Sequence, residues 1–154
     1  MRKMKATRRA TAVTAVVVAA LSGFALTAPT AHAAPKLTWK SEGLKDKNDR
    51  LLRLYHGVED IGTVFWSNDL APGSHLGDTL YLNDFVRDGY AIRGQVKQVS
   101  TGKIVIDIST AGKTAPAKKQ KTKNLKENAK LKVRGCVMKG SKSYGCTTWH
   151  SARA

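Results

Sequence analysis

The sequence predicts an all-β domain, an antiparallel β-sandwich (Ig-like) or a barrel of about 6–8 short strands, preceded by a signal peptide. Three observations lead to this fold class: short runs alternate apolar and polar residues, turn signals recur about every 8–12 residues, and no long amphipathic helical pattern occurs. Alternation with a period of two gives a strand one buried and one solvated face. We therefore expect antiparallel sheets that enclose a single core.

Residues 1–33 have the three parts of a secretory signal peptide. A basic start precedes an apolar run over residues 12–26, and the sequence AHA at 31–33 supplies the small residues that signal peptidase reads. The apolar run is shorter than the ~20 residues that span a bilayer. We expect a single secreted, extracellular domain over 34–154, with no stable membrane anchor after processing.

The first part of this domain has uneven strand signals. Residues 34–49 are charged and rich in turn formers, so we expect loose order there, with a short strand near Leu37. Residues 50–56 fit either a strand or a short helix, because the run is too short for its period to decide. Residues 62–66 and 78–85 each read as a strand.

The second part contains the clearest supersecondary unit. Residues 90–109 alternate strictly on both sides of a turn at 100–102, which predicts a hairpin. Residues 110–128 lose all apolar periodicity and read as a long lysine-rich loop. A final hairpin over about 129–139 and 143–152 completes the domain.

The chain has two cysteines, Cys136 and Cys146, which flank a turn signal. If the last hairpin is centred on Ser141, these two residues lie directly opposite each other, and an exported protein favours a disulfide between them. The same register places Val133 opposite Trp149 on one face of the hairpin. The spacing is far from the Cys-x-x-Cys pattern of redox-active pairs.

The positive charge is concentrated in the second half of the domain. The full chain carries a formal +16, but residues 34–96 contain eight basic and nine acidic groups, whereas residues 97–154 contain fourteen basic and two acidic groups. Eight lysines form the densest part of this surplus and are the candidate polyanion-binding residues: Lys113, Lys118, Lys119, Lys121, Lys123, Lys126, Lys130 and Lys132. They would bind a polyanion by counterion release, or else keep an exported protein soluble as a solvated loop. Because the strip is almost all lysine and has no interleaved aromatics, no specific nucleic-acid recognition is expected.

Residues with catalytic chemistry are few. His56, Glu59 and Asp60 are close in sequence and contain the acid–base groups that a small secreted ribonuclease uses, although surface residues in a turn have the same appearance. The histidines and carboxylates lack the spacing of metal ligands. We therefore expect no catalytic residues, no metal and no cofactor.

The three tryptophans of the domain all fall on strand-like segments. We expect Trp39, Trp66 and Trp149 to anchor the core rather than to form a carbohydrate-stacking platform, since large aromatic side chains dominate the packing of small domains.

Several of these motifs are similar to those of the small secreted proteins that actinomycetes encode in numbers. The resemblance covers roughly residues 78–154: a DGY segment at 88–90, the NLKE segment at 124–127, and a hairpin that leaves through RGCVMKG at 134–140 and returns through YGC at 144–146. It implies a β-sandwich, and it implies no activity or functional residue.

The leading expectation is an exported, non-catalytic β domain that binds anionic cell-envelope polymers through its basic half. One alternative is an effector or inhibitor that binds another extracellular protein through an edge strand or an exposed turn. The other alternative is a small secreted nuclease or hydrolase.

Overall fold

A computed structural model describes residues 36–43, 48–68 and 78–154. These residues form ten strands and no helix, so none of the described segments has the length and apolar character that a helical membrane span requires. The expected signal peptide at 1–33 lies outside the described residues.

The strands form two antiparallel sheets. In chain order they are β1 (Leu37–Gly43), β2 (Arg50–His56), β3 (Glu59–Ser67), β4 (Thr79–Asp84), β5 (Ala91–Gln98), β6 (Ile104–Ser109), β7 (Ala117–Thr122), β8 (Lys130–Lys139), β9 (Lys142–Cys146) and β10 (His150–Arg153). Sheet 1 has the order β1-β2-β3-β4-β7. Sheet 2 has the order β10-β8-β5-β6, and β9 pairs with the far end of β8 on the same side as β10.

The sheets pack face to face, with β4 across β5 and β2 across β8. Strands β2–β6, β8 and β10 contribute inward side chains to the main apolar core, whose largest fully buried members are Leu52, Leu54, Val64, Trp66, Leu80, Leu82, Ile92, Val96, Ile106, Leu131, Val133 and Val137. The Trp66 indole Nε1 donates a hydrogen bond of 2.8 Å to the Arg153 carbonyl oxygen, which satisfies its polar atom inside the core. The predicted all-β sandwich is confirmed, with ten strands rather than 6–8.

The prediction of a loop over residues 110–128 is wrong for its middle part, where Ala117–Thr122 forms β7. This strand pairs with β4 along its whole length, from Ala117 opposite Asp84 to Thr122 opposite Thr79. β7 is an edge strand, and all its residues after Ala117 are exposed. A strand that buries neither face carries no apolar alternation, so its sequence resembles that of a loop.

The two other uncertain segments are also strands. β1 extends over seven residues in the region where only a short strand was expected near Leu37. The 50–56 run is β2, which pairs with β1 and β3.

The predicted disulfide is confirmed. Cys136 lies directly opposite Cys146, and the two are bonded. The hairpin turns at Gly140 and Ser141, and Gly140 has a φ of 59°, which suits the first central position of a type II′ turn.

The expected pairing of Val133 with Trp149 is wrong, because His150 occupies that position. The chain leaves the sheet after β9, where the Thr147 amide donates to the Gly135 carbonyl oxygen at 2.8 Å and the Gly135 amide donates to Thr147 Oγ1 at 3.2 Å. When β10 pairs with β8, its register is shifted by one residue relative to that of β9. A shift of one residue moves a side chain to the other face of the sheet. Of the three tryptophans expected in the core, only Trp66 is there.

Candidate functional site

The eight candidate lysines do not form one continuous strip. Lys118, Lys119 and Lys121 lie on β7, Lys113 precedes it, Lys123 and Lys126 lie between β7 and β8, and Lys130 and Lys132 lie on β8 in the other sheet. The lysines of β7 also alternate in direction. Lys118 pairs with Asn83 on the outer face of sheet 1, whereas Lys119 pairs with the buried Leu82 and so projects from the opposite side of this edge.

Some of these lysines border a groove of about 640 Å³ on the outer face of sheet 1. Its lining residues are Phe65, Tyr81, Leu82, Asn83, Lys113, Lys118, Lys119 and Gln120. The Phe65 and Tyr81 rings are stacked, with centroids 5.7 Å apart and planes inclined by 20°. The Lys113 Nζ donates a hydrogen bond of 2.9 Å to the Lys118 carbonyl oxygen, which ties the turn before β7 to the strand. We call this site the β7 groove.

The β7 groove carries only positive formal charge, because no acidic residue is among the described residues that line it. Two carboxylates of the same face, Glu42 and Asp60, are paired with the Arg53 guanidinium, at 3.4 Å and 3.2 Å. These pairs lie on β1, β2 and β3, on the far side of the sheet from β7. The groove therefore favours an anionic ligand.

The outer face of sheet 2 carries a second polar cluster. Asp107, Gln95 and Arg134 lie opposite one another on three neighbouring strands, and Arg93 lies beside this row on β5. Arg93 donates to both carboxylate oxygens of Asp107, with Nε to Oδ1 at 2.7 Å, and Gln95 Nε2 donates to Asp107 Oδ2 at 2.8 Å. The Arg134 Nε donates to Gln95 Oε1 at 2.8 Å. The Arg93 guanidinium, helped by the Gln95 hydrogen bond, holds the pKa of Asp107 below its ordinary value.

Trp149 lies against this row. The Lys97 Nζ and the Arg134 guanidinium carbon each lie 4.4 Å from the centroid of its ring. Both contacts have cation–π geometry, which holds the two cations against the protein rather than towards a ligand. This face is consequently a network of mutually satisfied groups, and the β7 groove is the stronger candidate site.

His56 lies directly opposite Glu59 across the turn between β2 and β3. The His56 Nε2 nevertheless has no hydrogen-bond partner among the described residues, so the two side chains do not form an acid–base pair. The His56 ring packs edge-on against Tyr90, with centroids 5.7 Å apart. Asp60 Oδ2 instead accepts a hydrogen bond of 3.2 Å from Arg53, and Glu59 is exposed. Among the described residues, no group of three or more histidine, cysteine or carboxylate side chains has the arrangement to hold a metal ion.

No family model, curated protein or solved structure matches this chain. Fold, groove geometry and charge are therefore the basis on which a function is assigned.

The aromatic pair is the part of the site that sequence reasoning missed. Phe65 and Tyr81 are 16 positions apart and meet because β3 and β4 pair directly at these residues. The signal was present in each strand, since Phe65 alternates with the inward residues Val64 and Trp66 and so belongs to the outer face. The aromatic residue on the polar face of β3 was therefore the signal that the sequence offered.

Proposed function

We propose that this chain is a secreted, non-catalytic binding protein that holds an anionic polymer of the cell envelope at the β7 groove. One observation carries this proposal: Lys113 and Lys118 line the outer-face groove, Lys119 lies on the other side of the same edge strand, and no described residue in the groove's lining is acidic. The His56 ring packs against Tyr90, whereas Asp60 accepts a hydrogen bond from Arg53, and these separate contacts support a binding role over a catalytic one.

The charge layout supports the same role at longer range. Residues 97–154 carry fourteen basic and two acidic groups, and this half of the domain includes β7. A concentration of one charge sign attracts polyanions over distances of about a Debye length and gains free energy from released counterions. Lysine, a flexible and strongly hydrated point charge, suits a repetitive polymer better than a specific phosphate site.

The disulfide supports the choice of compartment. Bonds such as Cys136–Cys146 persist in oxidising surroundings, which is compatible with export.

Chromatography on heparin, teichoic acid and DNA columns at low salt tests the proposal. The wild-type protein should be retained and should elute on a salt gradient, because screening weakens the attraction. The variant K113Q/K118Q/K119Q should elute at clearly lower salt. Absence of retention on all three columns would overturn the proposal.

The matched control removes three positive charges elsewhere. Lys36, Lys103 and Lys142 are exposed and do not line the β7 groove. The variant K36Q/K103Q/K142Q should therefore elute close to the wild type. Equal losses in both triple variants would show that net charge alone drives retention and would rule out the groove as the site.

A further inference from the structure

We propose that the β7 groove is a sugar subsite, which packs a pyranose ring of an acidic polysaccharide on Phe65 and Tyr81 while the lysines neutralise its charged groups. This inference rests on the proposed function and names the class of its ligand. It follows from three features of the groove: a row of apolar side chains, side-chain amides beside that row, and the type of cation present.

The aromatic pair belongs to a row that crosses sheet 1. Leu51 lies opposite Phe65, Phe65 opposite Tyr81, and Tyr81 opposite Gln120 on the edge strand. Directly opposed residues share a face, and neighbouring strands are about 4.8 Å apart, so the row extends about 14 Å across the outer face. It is apolar at β2, aromatic at β3 and β4, and polar at β7, where the lysines stand.

This order of side chains matches the two sides of a charged sugar. The C–H faces of a pyranose ring pack against an aromatic ring by dispersion and apolar burial. Hydroxyl groups at the ring edge need donors and acceptors together, which a carboxamide supplies. Gln120 provides an exposed amide, and Asn83 provides a second one that the sheet holds in place through a 2.9 Å hydrogen bond from Nδ2 to Thr63 Oγ1.

The cations and rings favour a polysaccharide over the other polyanions. Arginine, whose fork matches phosphate, is absent from the described lining of the groove. A polymer without rings would contact the lysines alone and leave the aromatic pair without a role.

The test compares three probes that separate ring from charge. Polygalacturonate has pyranose rings with carboxylates, inorganic polyphosphate has charge without rings, and a single-stranded oligodeoxynucleotide has bases with phosphates. Binding of each to the full chain would be measured by titration calorimetry at fixed salt. We expect polygalacturonate to bind most tightly per unit charge.

Variants of the groove assign this preference to the aromatic pair. Tyr81→Ala should weaken polygalacturonate binding by about three- to tenfold and leave polyphosphate binding unchanged, because a packed aromatic contact contributes on the order of 0.5–1.5 kcal/mol. Tyr81→Phe keeps the ring and should retain binding. Phe85→Ala is the matched control, since Phe85 is an exposed aromatic residue outside the groove.

The outcomes separate this inference from the proposed function. Equal affinity for polygalacturonate and polyphosphate, both unaffected by Tyr81→Ala, would overturn the sugar subsite and leave polyanion binding intact. Tightest binding of the oligonucleotide, lost in Tyr81→Ala, would replace the sugar with a nucleic acid. If none of the three probes binds, the proposed function itself fails. Circular dichroism and urea unfolding of Tyr81→Ala and Tyr81→Phe confirm that a loss of binding is not a loss of fold.

Discussion

Gly94 lies directly opposite Gly135 at the centre of sheet 2, and both face sheet 1. A Cβ atom on Gly94 would lie 2.5 Å from a methyl carbon of Leu82, and one on Gly135 would lie 3.0 Å from a methyl carbon of Val64. The two glycines therefore let the sheets approach more closely than any side chain at these positions would allow.

Replacing Gly94 with alanine should destabilise the protein more than replacing Gly135. Overpacking of a filled core costs about 1–3 kcal/mol, and the Gly94 contact is the tighter of the two. Urea unfolding of Gly94→Ala and Gly135→Ala measures the difference. In a Leu82→Ala background, Gly94→Ala should lower the free energy of unfolding by less, because the clashing Leu82 methyl group is gone. An unchanged penalty there would contradict this explanation.

The disulfide should stabilise the domain through the unfolded chain. Cys136 and Cys146 are separated by ten positions, and closing a loop of this size contributes about 3 kcal/mol. The double variant C136A/C146A should lose about this amount in urea unfolding and keep its all-β circular dichroism spectrum. Equal stability of the variant and the oxidised wild type would contradict the prediction.

Asp84 should make the protein more stable as the pH falls. It is buried, its Oδ2 accepts a 2.8 Å hydrogen bond from Thr110 Oγ1, and burial raises its pKa above the ordinary 3.8. Because the folded state binds this proton more tightly than the unfolded state, a stabilising contribution develops as the pH falls through the raised pKa and is complete below about 3.8. The stability of the wild type relative to Asp84→Asn should rise over this range. A flat difference would contradict the assignment.

Asp107 should show the opposite pH dependence. Its pKa is lowered in the folded state, chiefly by the hydrogen bonds from Arg93, so its contribution is present above the ordinary value of 3.8 and is lost as the pH falls through the lower folded value. The stability of the wild type relative to Asp107→Asn should therefore decline below about pH 3.8. Paired denaturation curves for the two aspartate variants over the acid range measure both signs. A rise for Asp107 in that range would show that the Arg93 pair is not formed in solution.

The features predicted correctly from the sequence are those that depend on strict alternation. The 90–109 run forms β5 and β6 because each strand buries one face. Cys136 meets Cys146 as predicted, although the turn pairs Lys139 with Lys142 and a one-residue register shift between Val137 and Met138 brings the cysteines opposite each other. Strand β7 was missed because its exposed residues leave no burial pattern in the sequence. The predicted position of Trp149 opposite Val133 was wrong because it extended the register of β8 and β9 beyond Cys146. The chain leaves β8 after Cys146, and when it pairs with β8 again, His150 lies opposite Val133.

For the candidate site too, one part could be predicted from the sequence and another part could not. The surplus of lysines is a matter of composition and was visible without a structure. The groove requires Lys113 and Lys118 to meet Tyr81, and that meeting depends on which strand lies beside β4. Long-range strand order is set by how the two sheets close over the core, and no local pattern reports it.

Strand β7 is one of the two edges of sheet 1 in the described part of the chain, and the backbone of an edge strand can pair with another strand that approaches it. Lys119 and Lys121 on this edge repel a second copy of the same strand, since like charges would face each other across the new pairing. A polyanion that neutralises these lysines would remove the repulsion. Mixtures near charge equivalence should consequently become turbid and clear again with excess polymer, so the solubility of this protein depends on the ratio of polymer to protein.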